Sequence, residues 1–159
     1  MIRRRLLVCG IISPVLYIGT GILAATMLYE GYSYTAQQVS ELSAIGAPKR
    51  PLWVAMTSVW TALVIAFAIG VWLSSGPERS LRVTAVLLST FGLVGLLWVL
   101  FAPMQPRGTT GLAGDLNHLV FAGVQILVMV LFMVLGSGAG GTGFRIHLRG
   151  QGPQGRQTG

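Results

Sequence analysis

Charged side chains are scarce in this chain, and acidic ones are the scarcest. Only 9% of the 159 residues are charged, and only 4 residues are Asp or Glu. A soluble domain usually carries about a quarter charged residues. The composition therefore excludes an ordinary soluble globular domain.

Cysteine and histidine are also rare, which limits the possible chemistry. Cys9 is the only cysteine, so a disulfide within the chain and redox enzymes built on paired cysteines are excluded. We interpret Cys9 as a small packing residue. His118 and His147 are the only histidines, so a zinc site of three histidines from one chain is excluded as well.

What the sequence has in abundance is long apolar runs. Each of four runs is close to the ~20 residues that a helix needs to cross a bilayer, and they cover roughly residues 6–29, 52–73, 83–102 and 116–135. Arg3, Arg4 and Arg5 precede the first run, which is too long for the core of a signal peptide. We predict an all-α membrane protein: an antiparallel bundle of four transmembrane helices over residues 1–135.

The placement of the basic residues predicts an orientation. The net charge is +7. If the N-terminus is cytoplasmic, the inner segments hold most of the arginines, as the positive-inside rule requires, and both termini lie in the cytoplasm of a cell-membrane protein. No basic patch is interleaved with stacking aromatics, so we expect contact with membrane lipids and no nucleic-acid partner. The predicted inner residues are Arg3, Arg4, Arg5, Arg79, Arg82, Arg145, Arg149 and Arg156, and the outer ones are Lys49, Arg50 and Arg107.

Two segments outside the spans have recognisable patterns. Thr35 and Gln38 match a capping box, which predicts a short helix over 36–45 that lies on the outer membrane face or caps the bundle. Residues 136–159 are rich in Gly, Gln and Arg, and we expect a flexible, disordered tail there because such a segment buries too little apolar surface to fold.

Small and aromatic residues indicate how the spans pack. Ala62, Ala66 and Gly70 recur every fourth residue, and such small residues let helices approach closely in lipid. Trp53 and Trp98 lie near the predicted outer ends of their spans, where amphipathic rings serve as interfacial anchors.

The fourth span carries the strongest candidate site. Asp115, His118 and Gln125 fall on one helical face, and Asp115 is close enough for a carboxylate–imidazole contact with His118. Ionisable groups in a membrane helix are by default functional. The alternative is that Asp115 caps the helix and His118 lies among lipid headgroups.

Three kinds of activity can be set against these residues. A metal held by His118, Asp115 and Glu41 is conceivable, but we predict no metal and no cofactor. A serine nucleophile, Ser40 or Ser43, with His118 as base and Asp115 as orienting acid would make a hydrolase, although no nucleophile-elbow motif is present. Transport would require oligomerisation, because the spans are short and unbroken.

Five segments together resemble one uncharacterised family of integral membrane proteins, domain of unknown function 998. The resemblance covers roughly residues 6–135, and its most specific part is the loop-one segment. The segments are GIISP (10–14), GYS (31–33), VSELSAIGAP (39–48), PMQPRG (103–108) and NHL (117–119).

The resemblance implies architecture and site positions, not a reaction. The positions carried over are Ser40, Glu41 and His118. Members usually have Pro-x-Asp-Pro where this chain has Gln105, so an acid that could pair with His118 is missing unless Asp115 replaces it. Members also generally continue to about six spans, so we expect a shortened member.

These observations lead to one interpretation and two alternatives. We expect a membrane protein that binds a lipid or a partner, such as a second copy of itself, through a polar cluster at the outer face. The alternatives are a membrane-embedded hydrolase acting on lipid, with His118 and Ser40 or a metal, and a transporter subunit.

Overall fold

The computed structural model describes residues 1–23, 33, 35–36, 39–48, 50–106, 108 and 115–150. Within these residues the chain forms four α-helices and no strand. All four helices are long and apolar enough to cross a membrane, which confirms the predicted all-α membrane bundle. They are α1 (Ile2–Leu23), α2 (Arg50–Ser74), α3 (Arg79–Phe101) and α4 (Leu116–Gly150).

The fourth helix is longer than predicted. We expected its span to end at Leu135 and a flexible tail to follow, but α4 continues to Gly150. Extending an existing helix costs little per residue once its first turn has formed, and this corrects the expected tail for residues 136–150. Residues 151–159 and the predicted end of the first span, 24–29, lie outside the described residues.

The segment before α2 also differs from its prediction. A short helix was expected over 36–45, but the observed element is a five-residue 3₁₀ helix, Val39–Ser43. A chain of i→i+3 hydrogen bonds, from Ala44 N to Glu41 O and from Ala47 N to Ala44 O, tightens the backbone here. We call Val39–Ser43 the loop helix. Its last three residues are buried, and it packs against α2.

Consecutive helices approach each other closely at glycines. A Cβ atom on Gly70 would lie 2.9 Å from the Leu6 Cβ, and one on Gly92 would lie 2.9 Å from the Ile65 Cγ1. These contacts join α1 to α2 and α2 to α3, as the small-residue spacing of the sequence predicts. Pairing of Leu6 with Gly70 brings the start of one helix to the end of the next, which is the arrangement expected of helices that run in opposite directions.

Extensive packing joins only consecutive helices within the described residues: α1 with α2, α2 with α3, and α3 with α4. The first and last helices do not close the bundle against each other to the same extent. A space therefore remains between α1 and α4 on the inner side of the row of helices.

The Gly70 contact generates a first prediction. Gly70→Ala should destabilise the fold by about 1–3 kcal/mol, as overpacking commonly does, because the added Cβ would meet the backbone of α1 at 3.1 Å, at Leu6 C and Leu7 N. Thermal unfolding of the purified protein in detergent measures this.

Gly19→Ala is the matched control, since no described atom lies within 4 Å of its added Cβ. Alanine also has the higher helix propensity. The control should unfold at the wild-type temperature or above, and equal unfolding temperatures for the two variants would contradict close packing at Gly70.

Candidate functional site

A cavity of about 400 Å³ lies between the four helices and the loop helix. Its volume falls in the range of small-molecule binding sites, ~300–1,000 Å³. All of its lining side chains are uncharged apart from the titratable His118. They are Tyr17 of α1; Val39, Ser40 and Ser43 of the loop helix; Trp53, Thr57 and Trp60 of α2; Phe91, Gly95, Trp98 and Val99 of α3; and His118, Gln125 and Met129 of α4.

A row of aromatic rings crosses the bundle along this cavity. The ring centroids of Tyr17 and Trp60 are 5.1 Å apart, those of Trp60 and Phe91 are 5.9 Å apart, and those of Phe91 and Phe132 are 5.6 Å apart. Tilted and edge-to-face pairs at these distances are favourable aromatic geometries. The row links all four helices in chain order, and three of its rings line the cavity.

Trp53 is among the cavity walls and not at a lipid interface. It is 5% exposed, and its ring lies edge-on to Tyr17 at 6.5 Å. The interpretation of Trp53 and Trp98 as interfacial anchors is therefore corrected, because both rings turn toward the other helices. The spacing of Trp53, Thr57 and Trp60 at i, i+4 and i+7 is the sequence signal that predicts a shared face.

His118 is buried on the cavity wall, where its ring meets Trp98. Only 7% of the residue is exposed. Trp98 Nε1–H donates to His118 Nδ1 at 3.0 Å, and the Ala102 carbonyl oxygen lies 3.0 Å from the same nitrogen. These two neighbours compete, since an Nδ1 lone pair suits the indole and an Nδ1–H suits the carbonyl.

The indole decides the protonation of the ring. An indole nitrogen can only donate, so an Nδ1–H would face the Trp98 N–H with two hydrogens between two donors. The hydrogen-bond network therefore assigns the neutral tautomer with its proton on Nε2. Nε2 has no hydrogen-bond partner among the described residues, so His118 offers an N–H donor to a cavity ligand.

Asp115 has a different partner from the one predicted. Its Oδ1 accepts a hydrogen bond from the Gln105 backbone N–H at 2.9 Å. The carboxylate thus ties the α3–α4 connection to the start of α4, beside the position where the family's usual acid is replaced. The predicted contact between Asp115 and His118 is not formed, because Trp98 and Ala102 occupy the facing nitrogen of His118.

The loop helix brings two serines to the same cavity as His118. Ser40 Oγ donates to Met104 Sδ at 3.6 Å, and Ser43 Oγ donates to the Ser40 carbonyl at 2.8 Å. Glu41 is buried on the same loop helix but is not among the cavity-lining residues. The structure therefore brings Ser40 and Ser43 to the cavity of His118 and leaves Glu41 and Asp115 outside it.

Two backbone clamps hold the loop helix in place. Ile45 N donates to Met104 O at 2.9 Å, and Arg50 Nε donates to Ser43 O at 3.1 Å. The first clamp joins the loop to the α3–α4 connection, and the second joins it to the start of α2. Within the described part of the chain, no three His, Cys, Asp or Glu side chains come together as metal ligands, so the conceivable site of His118, Asp115 and Glu41 is not assembled there.

Gln125 provides the second polar point of α4 in the cavity. Its Nε2 donates to the Phe91 carbonyl oxygen at 3.1 Å, which fixes the orientation of the amide. Its Oε1 is buried and has no hydrogen-bond partner among the described residues. A Cβ on Gly95 would lie 3.4 Å from Gln125 Nε2, so glycine there leaves room for the amide to reach α3.

The Trp98–His118 bond generates a second prediction. Trp98→Phe removes the indole donor, so His118 Nδ1 should take the proton and donate it to the Ala102 carbonyl. Nitrogen-15 NMR of histidine-labelled protein reports the tautomer, and His147 provides a second signal for comparison. Trp72→Phe is the control, since Trp72 packs against Arg82 away from the site. An unchanged His118 spectrum in Trp98→Phe would contradict the assignment.

Sequence comparison supports the resemblance noted from the motifs. Residues 11–150 match the family described as "Protein of unknown function (DUF998)". No curated protein and no solved structure matches this chain. The match includes all four spans, the loop helix and every cavity-lining residue, and the chain belongs to this membrane family of unknown function.

Proposed function

We propose that this multi-pass membrane protein binds a lipid-like amphiphile in the cavity between its helices. The observation that carries the proposal is the union of aromatic walls with two polar points on α4. A binding site is typically apolar with a few placed polar groups that orient the ligand. Here the His118 Nε2–H is a donor, and the Gln125 Oε1 is an acceptor with no described partner.

The open side of the bundle supports a ligand that arrives from the bilayer. Consecutive helices pack extensively, whereas α1 and α4 do not. The cavity has walls from both α1 and α4. A lipid could therefore pass between these two helices without crossing water, and this favours an apolar ligand over a water-soluble metabolite.

Hydrolysis is the weaker candidate, although Ser40 and His118 share the cavity. A histidine base needs a lone pair on the nitrogen that faces the nucleophile and an acceptor on the other nitrogen. In His118 the indole N–H of Trp98 gives the reverse arrangement. Asp115 binds a backbone N–H and does not orient the imidazole.

Filling the cavity tests the proposal. Gly95→Leu should displace the bound lipid, because Gly95 lines the cavity and a leucine side chain would enter it. Lipids that co-purify in detergent are extracted and quantified by mass spectrometry. We expect at least about a tenfold loss of the retained lipid, which corresponds to ~1.4 kcal/mol of binding free energy.

Gly123→Leu is the matched control on α4, because no described atom lies within 4 Å of a Cβ there. It should retain lipid as the wild type does. Both variants are first compared by size-exclusion chromatography to establish that they fold. Equal retention by a folded Gly95→Leu variant and by the control would overturn the cavity as the binding site.

We also propose that the protein lies in the cell membrane with both termini in the cytoplasm. The contact of Gly70 with Leu6 supports this, because it brings the arginine-rich start of α1 to the end of α2, close to the start of α3. A Cβ on Gly136 would lie 3.3 Å from Thr84 Oγ1, so α4 leaves the bundle at the same end. Basic residues gathered at one end favour that end as cytoplasmic.

Labelling with a membrane-impermeant maleimide checks the orientation. In a Cys9→Ser background, Ser80→Cys should stay unlabelled in intact cells and react after lysis. Ala47→Cys, in the turn after the loop helix, should react in intact cells. The reverse pattern would place the termini outside.

A further inference from the structure

We infer that the cavity selects an uncharged ring lipid with two opposed ring oxygens, and that it prefers the hydroquinone form to the quinone. This inference rests on the proposed function and names its ligand class. It starts from Gln125, whose side chain is 91% buried, since 9% remains exposed, and whose Oε1 has no partner among the described residues.

The orientation of the Gln125 amide decides what the ligand must supply. Its Nε2 donates to the Phe91 carbonyl oxygen, so a flipped amide would bring two oxygens together. Oε1 therefore stays directed away from Phe91 and needs a donor, which is a ligand O–H or N–H. A carbonyl oxygen at this point would face the Oε1 lone pairs and be repelled.

His118 makes the opposite demand at the other end of the site. The Trp98 indole leaves the His118 proton on Nε2, so this point of the cavity needs an acceptor oxygen. A hydroxyl oxygen and a carbonyl oxygen both accept a hydrogen bond. The two polar points therefore differ, because only the Gln125 end distinguishes a hydroxyl from a carbonyl.

The spacing of the two points sets the size of the polar part of the ligand. His118 and Gln125 are seven residues apart on one helical face, which is roughly 10 Å of helix rise. Two hydrogen bonds of about 2.8 Å each would take up over half of this length. The remainder is roughly the distance between oxygens on opposite carbons of a six-membered ring.

The walls between these points favour a flat and uncharged ring. Trp60, Phe91 and Trp98 line the cavity, and aromatic rings pack favourably against other rings. No Asp, Glu, Lys or Arg lines the cavity. A phosphate or carboxylate headgroup would be buried there without a countercharge, which is costly.

The test uses a decyl-substituted 1,4-benzoquinol and its oxidised benzoquinone. The full-length protein is placed in nanodiscs of uncharged lipid under anaerobic conditions, and binding of each probe is measured by isothermal titration calorimetry. We expect the quinol to bind at least about tenfold more tightly than the quinone. Gln125→Met should remove this preference, and Gly123→Leu should keep it.

Folding of the Gln125 variants is checked by thermal unfolding. Gln125→Leu serves as a second variant that removes the acceptor, and both should be at least as stable as the wild type, because each removes a buried oxygen that has no described partner. Equal affinity of the wild type for both probes would overturn the role of Gln125 Oε1.

The probes also separate this inference from the proposed function. If neither probe binds but co-purified lipid is still lost in Gly95→Leu, the ring lipid is wrong and the lipid-binding cavity stands. If neither probe binds and no lipid is retained by the wild type, both proposals fall.

Discussion

The architecture depends on close contact between small residues of consecutive helices. Lipid removes the hydrophobic drive for helices to associate, so packing and polar contacts must hold them together. Gly70 lets α1 touch α2, and Gly92 lets α2 touch α3. Each such contact joins neighbours in the chain, and none of comparable extent joins α1 to α4. The same packing that builds the bundle therefore leaves its inner space open.

Polar side chains divide into two groups within the described residues. The hydroxyls of the spanning helices bond back to their own helix, as Thr20 does to Leu16 O and Ser89 to Ala85 O. Only His118 and Gln125 form hydrogen bonds that link one spanning helix to the residues of another, and both join α4 to α3 or its end. These bonds rotate α4 so that its polar face meets the cavity and not the lipid.

The sequence predicts the spans well because length and hydropathy are enough to define them in lipid. It also predicts that His118 and Gln125 share a face, since helical periodicity relates residues of the same helix. What it cannot supply is the rotation of one helix against another. Asp115 was the expected partner of His118 because it lies on the same helix, whereas the observed partner, Trp98, comes from α3. Trp53 was assigned to the lipid interface for the same reason.

The Trp98–His118 bond also shapes the chemistry available at the site. A catalytic histidine accepts a proton at the nitrogen that faces its substrate, and a carboxylate usually stabilises the cation that forms. Here the outward nitrogen already carries the proton, and the inward nitrogen faces an indole donor that would oppose a second proton. Ser40 directs its hydroxyl to the Met104 sulfur, which gives it no base. The site therefore has one donor and one acceptor held at fixed positions on a single helix, an arrangement suited to recognising a neutral molecule rather than cleaving it.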